Sequence, residues 1–531
     1  MAYERILAST ALAIAMIAGP AEAQKSGGVL KVFFFDSPAT MSIHEESTIA
    51  AQGPMMGVFN NLVMYDQKVP QSGLKSVVPD LATDWAWDPD RTALTFKLRQ
   101  GVKWHDGKPF TARDVVCTWN LLQGKGNGSD TLRVNPRKAW YGNLEEVVAN
   151  GDFEVTFKLK RRQPAFIALL ASGFSPVYPC HVPTAEMRRR PIGTGPFKFV
   201  EFKPNETIKV TRNPDYWKKD RPYLDGIEYK IIKNQSTAAL TFVSGAVDIT
   251  SFYFFQVPML KDIKSQKADV ICELMASNVQ RNVIVNRESP PFNDPNVRRA
   301  VALTLDRQAF LDTLTQGKGT VGGALLAPPE GIWGMPPDVL HKLPGYDPDV
   351  AKNRTEARAL MEKAGFGPNN RLKLKVSTRN IPPYRDPAVI LLDQLKHIYI
   401  DAELDAVDTT QWFPKVRKRE YSIGLNLTGN GIDDPDQTFF ENYACGSENN
   451  FDSYCNPEMD KLFEQQSMEV DQDKRKKLVW DIERRLAEDV ARPVLYHNRS
   501  GTCWYPYVKG YVPMINSIYN GLRLEDVWLD K

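Results

Sequence analysis

Between Leu94 and Arg99 the apolar Leu94, Phe96 and Leu98 alternate with Thr95, Lys97 and Arg99. An extended chain would bury one row and wet the other, so the pattern predicts a half-buried strand. The same period returns at Val155, Phe157 and Leu159 against Thr156, Lys158 and Lys160, and at Leu372, Leu374 and Val376 between charged neighbours. Asp106-Gly107 predicts a turn after the first of these, and helical spacing begins near Val115. Further on, Ala357, Leu360, Met361 and Ala364 share one helical face, with Asn353 as the expected cap, Glu356 three residues later and Gly365 as the stop. Asn456-Pro457 opens another helix that buries Leu462 and Phe463. Leu478, Ile482 and Leu486 mark a third, ending before Pro493. Strands far apart in sequence and separated by helices predict a mixed α/β chain. No repeat of ~20 to 50 residues occurs, which argues against solenoids and propellers.

The first residues follow a different pattern. Arg5 precedes an apolar run from Ile6 to Ala18, and Gly19-Pro20-Ala21-Glu22-Ala23 supplies small residues at the positions a signal peptidase reads. Residues 1–23 are therefore expected to be an export signal. A buried N-terminal helix is the alternative, but Pro20 would end it where the small residues begin. No Cys stands at the cleavage point, so no lipid anchor is indicated. No later segment reaches the ~18 consecutive apolar residues of a spanning helix. A periplasmic, soluble chain is expected.

A chain of 531 residues is too long for one core and predicts two or three domains. Its net charge of +3 provides no general field for nucleic acid. The basic runs Lys160-Arg161-Arg162 and Arg188-Arg189-Arg190 lack interleaved aromatics and read as solvated surface. Six cysteines, an even number, suit an oxidising compartment. Cys445 and Cys455 bracket a short polar loop and are the expected bridge; Cys117 with Cys180, and Cys272 with Cys503, form the preferred remaining pairing, although spacing leaves the connectivity open.

Catalytic motifs are mostly missing. Gly317-Lys318-Gly319-Thr320 lacks the upstream glycine of a phosphate loop, and Gly124, Gly126 and Gly128 lie in a polar linker. His44-Glu45-Glu46 lacks a second histidine, none of the six histidines forms a spaced metal pair, and no G-x-S-x-G elbow occurs. Cofactors and metals are not expected. Asp433, Asp434 and Asp436 could act as acid and base or hold a cationic ligand, or they could simply build the turn beside Pro435. Trp333, in a Pro/Gly-rich loop, and Trp412-Phe413, after an expected strand, could wall a small-molecule cleft or pack in a core.

Three blocks in fixed order resemble the family 5 solute-binding proteins of ABC importers, which bind oligopeptides, dipeptides, nickel and opines. The first runs from Pro79-Asp80-Leu81-Ala82 to Leu98-Arg99-Gln100-Gly101-Val102-Lys103-Trp104-His105-Asp106-Gly107 and on to Asp114-Val115. The second is Pro191-Ile192-Gly193-Thr194-Gly195-Pro196-Phe197 with Asn213-Pro214-Asp215-Tyr216-Trp217. The third joins Val297-Arg298-Arg299-Ala300, Leu305-Asp306-Arg307, Glu362-Lys363-Ala364-Gly365-Phe366 and Asp434-Pro435-Asp436.

The resemblance implies an α/β, two-lobed periplasmic-binding-protein fold of class II type with an extra α+β domain on the first lobe. Lobe 1 would comprise residues 25–45, 189–275 and 499–531, the extra domain 46–188, and lobe 2 276–498, with hinge strands near Ala276 and Tyr496. It also implies a monomer that engulfs a small-molecule or peptide ligand and docks on membrane permease subunits of the importer. Peptide binders of the family anchor an amino group with an Asp where this chain has Gly431, and Asp433 is the nearest replacement. Trp412 aligns with an aromatic of the family cleft, Arg379 or Arg385 lies where a ligand carboxylate can be paired, and Trp333 and Asn430 complete the candidate set. The expected ligand is a peptide or peptide-like solute such as an opine. An oligosaccharide or other polar metabolite is the alternative, and an exported hydrolase using Asp433 to Asp436 is the alternative from another class.

Overall fold

The computed structural model describes residues 24–126 and 130–531, so the export signal expected over 1–23 and Gly128 of the glycine linker lie outside the described residues. The alternating segment at Leu94 forms the strand Ala93–Leu98, burying Leu94, Phe96 and Leu98. It pairs antiparallel with Ala82–Trp87 and Glu154–Leu159, and Leu144–Ala149 completes a four-stranded sheet. The helix Ala112–Leu122 packs on this sheet through Trp119, whose ring meets Phe157 edge-on at 5.0 Å, and is tied by Cys117–Cys180 to the loop that follows the helix Phe166–Ala171.

A second four-stranded sheet begins with Val29–Phe34 beside Gly226–Ile231 in parallel, then continues antiparallel through Thr207–Arg212 and Phe197–Lys203. One continuous apolar core joins both sheets, running from Val32 and Ile227 through Phe59 to Phe96 and Trp119. They form one body because neither sheet covers its apolar face alone.

The third sheet has the order Ile400–Val407, Leu372–Arg379, Ile423–Gly429, Ile271–Val285, Val494–Trp504. Its first three strands are parallel and the last two run antiparallel to their neighbours. Helices Pro295–Thr304, Val350–Lys363 and Pro382–Lys396 enclose a separate core around Val283, Val376, Leu391 and Leu425. The cap of Val350–Lys363 differs from expectation: Asp349 accepts the Lys352 N–H at 3.0 Å, while Asn353 lies inside the helix and donates to the Asp347 carbonyl at 2.8 Å. Two cap-forming side chains stood in one run, and the helix starts at the earlier one. Helix Pro457–Met468 is capped by Asn456, next to the Cys445–Cys455 bridge.

Two strands of the third sheet pass between the bodies. Ile271–Val285 and Val494–Trp504 pair from Asn282 opposite Val494 to Ile271 opposite Trp504, where Ile249 bridges Trp504 on one side and Val32 of the second sheet on the other. Cys272–Cys503 staples that end. Between Ala276 and Gln280 the register breaks, and Asn278 takes a left-handed conformation at φ 51°, which asparagine tolerates better than most residues. The break sits at the seam. Among the described residues no helix is long and apolar enough to cross a membrane.

Candidate functional site

A cavity of about 100 Å³ opens where the third sheet faces the first body. Its wall is mainly aromatic. Phe35 and Phe254 stack at 4.8 Å with 7° between their rings, and Tyr384, Phe413, Phe451 and Tyr519 face them. Ser277, Asn426, Thr428 and Ser500 add neutral polar groups from the three neighbouring strands Ile271–Val285, Ile423–Gly429 and Val494–Trp504, the mixture that orients a small solute by few hydrogen bonds.

Three charged side chains line the cavity: Arg281, Arg379 and Glu441. Arg379 ends the strand Leu372–Arg379 and pairs through Nη2 with Asp36, just beyond the strand Val29–Phe34 of the opposite body. Its Nε donates to Thr409 Oγ1 at 2.9 Å, and that hydroxyl donates to Asp36 Oδ2 at 2.8 Å. Burial works against the guanidinium's charge, but Asp36 outweighs it and holds the pKa above the ordinary arginine value. Glu441, in the helix Pro435–Asn442, accepts from Trp140 Nε1 and Asn449 Nδ2, each at 2.7 Å, and from Gln437 Nε2 at 3.3 Å. Arg379–Asp36 and Trp140–Glu441 thus both join the two bodies across the cavity.

Of the six residues expected at the site, the structure brings Arg379 to the wall and places the other five elsewhere. Arg385 is exposed and sits 3.5 Å from Asp386. Trp412 is fully buried against Ile284, Val416 and Tyr421, because it and Val416 share the inner face of the helix Thr409–Arg417; the next residue, Phe413, is rotated onto the cavity wall. Trp333 packs in a core with Phe439 and Tyr443, lies 4.6 Å from the Arg475 guanidinium, and donates its Nε1 to the Asp433 carbonyl at 2.9 Å. Asp433 turns toward that loop and away from the cavity: Oδ2 accepts from Ile332 N at 3.3 Å and Asn516 Nδ2 at 3.4 Å, and desolvation pushes its pKa up to about 7. Asn430 pairs with Asn278 through its backbone N–H at 3.0 Å and its amide at 3.3 Å, steadying the strand crossing.

The neighbouring acids hold the scaffold. Asp434 caps the helix Pro435–Asn442 and receives Arg475 at 2.8 and 2.7 Å, a two-pronged pair. Asp436 accepts from Gln163 at 2.7 Å and Ser467 at 2.8 Å. Neither lines the cavity. Among the described residues no group of three or more His, Cys, Asp or Glu is placed to hold a metal ion.

Phe413, read in the sequence only as half of the Trp412-Phe413 pair, is on the wall, and sequence reasoning missed Tyr384, Glu441 and Arg281. A signal for Arg281 existed: it is the only charged residue from Met275 to Val285.

The family model for bacterial extracellular solute-binding proteins, family 5 Middle, matches residues 76–450. The chain belongs to that family. Family members similar to it include the oligopeptide-binding protein AppA of Bacillus subtilis (strain 168), 28% identical over 468 residues, covering 83% of this chain and 81% of the relative. The di/tripeptide-binding protein 1 of Pseudomonas aeruginosa (strain UCBPP-PA14) is 26% identical over 470 residues, covering 83% of each chain. Among solved structures, the periplasmic binding protein DppA of Helicobacter pylori in complex with peptide STSA superposes with a TM-score of 0.83 at 21% identity, covering 96% of this chain and 99% of the other. The family's two-lobed α/β fold is therefore the fold of this chain.

Proposed function

We propose that this chain is the solute-capturing component of an ABC importer, working outside the cytoplasm and delivering a peptide or peptide-like molecule to membrane permease subunits. The observation that carries the reading is the aromatic, sparingly polar cavity between the two bodies, crossed by Arg379–Asp36 and Trp140–Glu441. A solute enclosed there is held from both sides, so its affinity comes from the closed arrangement and closure reports its capture. Peptide binding by the similar AppA and di/tripeptide-binding proteins supports this choice of solute. We assign lobe 1 to residues 25–45, 189–275 and 499–531, the extra domain to 46–188 and lobe 2 to 276–498. In this assignment the lobes swing about the strands crossing near Asn278. The chain works as a monomer and performs no catalysis.

Thermal-shift screening against peptides, opines and oligosaccharides, followed by titration and recovery of the solute, tests the reading. Binding to the native state alone stabilises it by about 2.7 kcal/mol at a hundredfold excess over Kd. One solute per chain, recovered unchanged and best among the peptides or opines, is expected. Steady conversion of the solute would instead identify an exported hydrolase.

A further inference from the structure

Arg281 is buried, 3% exposed, in the middle of the strand Ile271–Val285, opposite Leu427 on one side and Tyr496 on the other. Its Nε and Nη1 are buried and hydrogen-bond to no protein group. The Tyr496 ring, 5.6 Å from the guanidinium carbon, is its neighbour in the core, and the rest of the side chain lines the cavity.

Each of the other buried arginines among the described residues has a partner in the protein, even though Arg137 and Arg523 keep an unpaired Nε. Arg379, Arg475, Arg492 and Arg523 each hold an aspartate: Asp36, Asp434, Asp452 and Asp80. Arg137 donates to the carbonyls of Ile43 and Glu46, and Arg307 to that of Val494 at 2.7 Å. Arg281 alone of the set has neither. Arginine does not escape burial by shedding its proton, and an uncompensated buried charge is costly, so its retention at this position calls for a partner from outside the fold.

The remaining charges on the wall are already balanced within the protein. Arg379 is matched by Asp36, and Glu441 by three hydrogen bonds and the nearby positive charges of Arg137 and Arg417. The wall therefore offers one unmatched positive fork and no unmatched carboxylate for an ammonium. We propose that Arg281 receives a carboxylate of the captured solute, so that the cavity selects solutes whose acidic group reaches the middle of the Ile271–Val285 strand. The proposal rests on the solute-capture reading above and names the charge class it takes. Planar guanidinium suits a carboxylate by two parallel N–H donors, a geometry lysine cannot reproduce.

Calorimetric titration of the full mature chain with paired compounds tests this. One arm uses peptides with a free C-terminal carboxylate against the same peptides as amides. The other uses non-peptide carboxylic acids, including opines, against their amides. Wild type is expected to bind at least one acid one-to-one, and its neutral counterpart at least roughly thirtyfold more weakly. Arg281→Gln should abolish that preference and Arg281→Lys keep part of it, while ligand-free Arg281→Gln melts no lower than wild type. Which arm contains the acid identifies its source. Equal binding of acid and amide by wild type, or an unchanged preference in Arg281→Gln, would overturn the proposal and leave solute capture standing. Absence of any one-to-one binder, acidic or neutral, would overturn the capture reading and the proposal with it.

Discussion

Trp412 and Phe413 are adjacent, yet one holds the lobe together and the other meets the cavity. About 100° of helical rotation separates neighbours, so the start of Thr409–Arg417 decides which aromatic faces inward. Sequence showed the aromatic pair but not the phase, and family resemblance made Trp412 the expected wall residue. Trp412→Ala should cost about 3 to 5 kcal/mol in a urea unfolding series, as a large buried ring leaves a cavity. Phe413→Ala should change stability little and weaken solute binding at least about fivefold, measured by titration. The reverse outcome would exchange the two roles. A second residue-scale expectation concerns Glu483, 3% exposed, whose two oxygens accept from Leu325 N at 3.0 Å and Met335 N at 3.1 Å. Burial pushes its carboxyl from 4.5 up to about 8. The folded pKa lies above the unfolded one, so its contribution to stability is complete below about pH 4.5 and gone above about pH 8. Melting curves of wild type and Glu483→Gln across that window should show wild type losing ground as pH rises. A gap that stays constant would remove Glu483 from the pH response.

Among the elements, alternation was enough to find Ala93–Leu98, Glu154–Leu159 and Leu372–Arg379, because each has one wet face. The strand Ile271–Val285 carries no such pattern. From Met275 onward it is buried on both faces, so polar Asn278, Gln280 and Asn282 alternate with nothing exposed, and periodicity has no contrast to report. Only family resemblance pointed to this segment, as an expected hinge strand near Ala276. The disulfides belong to this scale. Cys445 and Cys455 close a loop of sequence separation 10, whereas Cys272 and Cys503 tie residues 231 apart. If unfolded-chain entropy dominates, serine replacement of the first pair should cost about 3 kcal/mol and of the second about 5 kcal/mol. Denaturant unfolding of the two double mutants measures the difference. Equal losses would mean native-state effects outweigh loop closure.

For the whole molecule, the family blocks made the fold class legible, since their order is spread along nearly the entire chain. The site was not, because its wall is assembled from segments as distant as Phe35, Arg281 and Tyr519. In the proposed mechanism, closure depends on the same long-range pairings. Asp36→Asn removes the partner of buried Arg379 across the cavity, and should weaken solute binding more than about tenfold. It should also enlarge the ligand-free radius of gyration in small-angle scattering. Unchanged values of both would show that the pair does not hold the lobes together.

Native mass spectrometry of the chain isolated without denaturation, repeated after unfolding, refolding and return of the recovered small molecules, tests solute capture most directly. The expected spectrum shows one acidic solute per chain, lost on unfolding and regained unchanged on refolding. A refolded chain that takes up no solute at any ratio, or returns it chemically altered, would contradict the account.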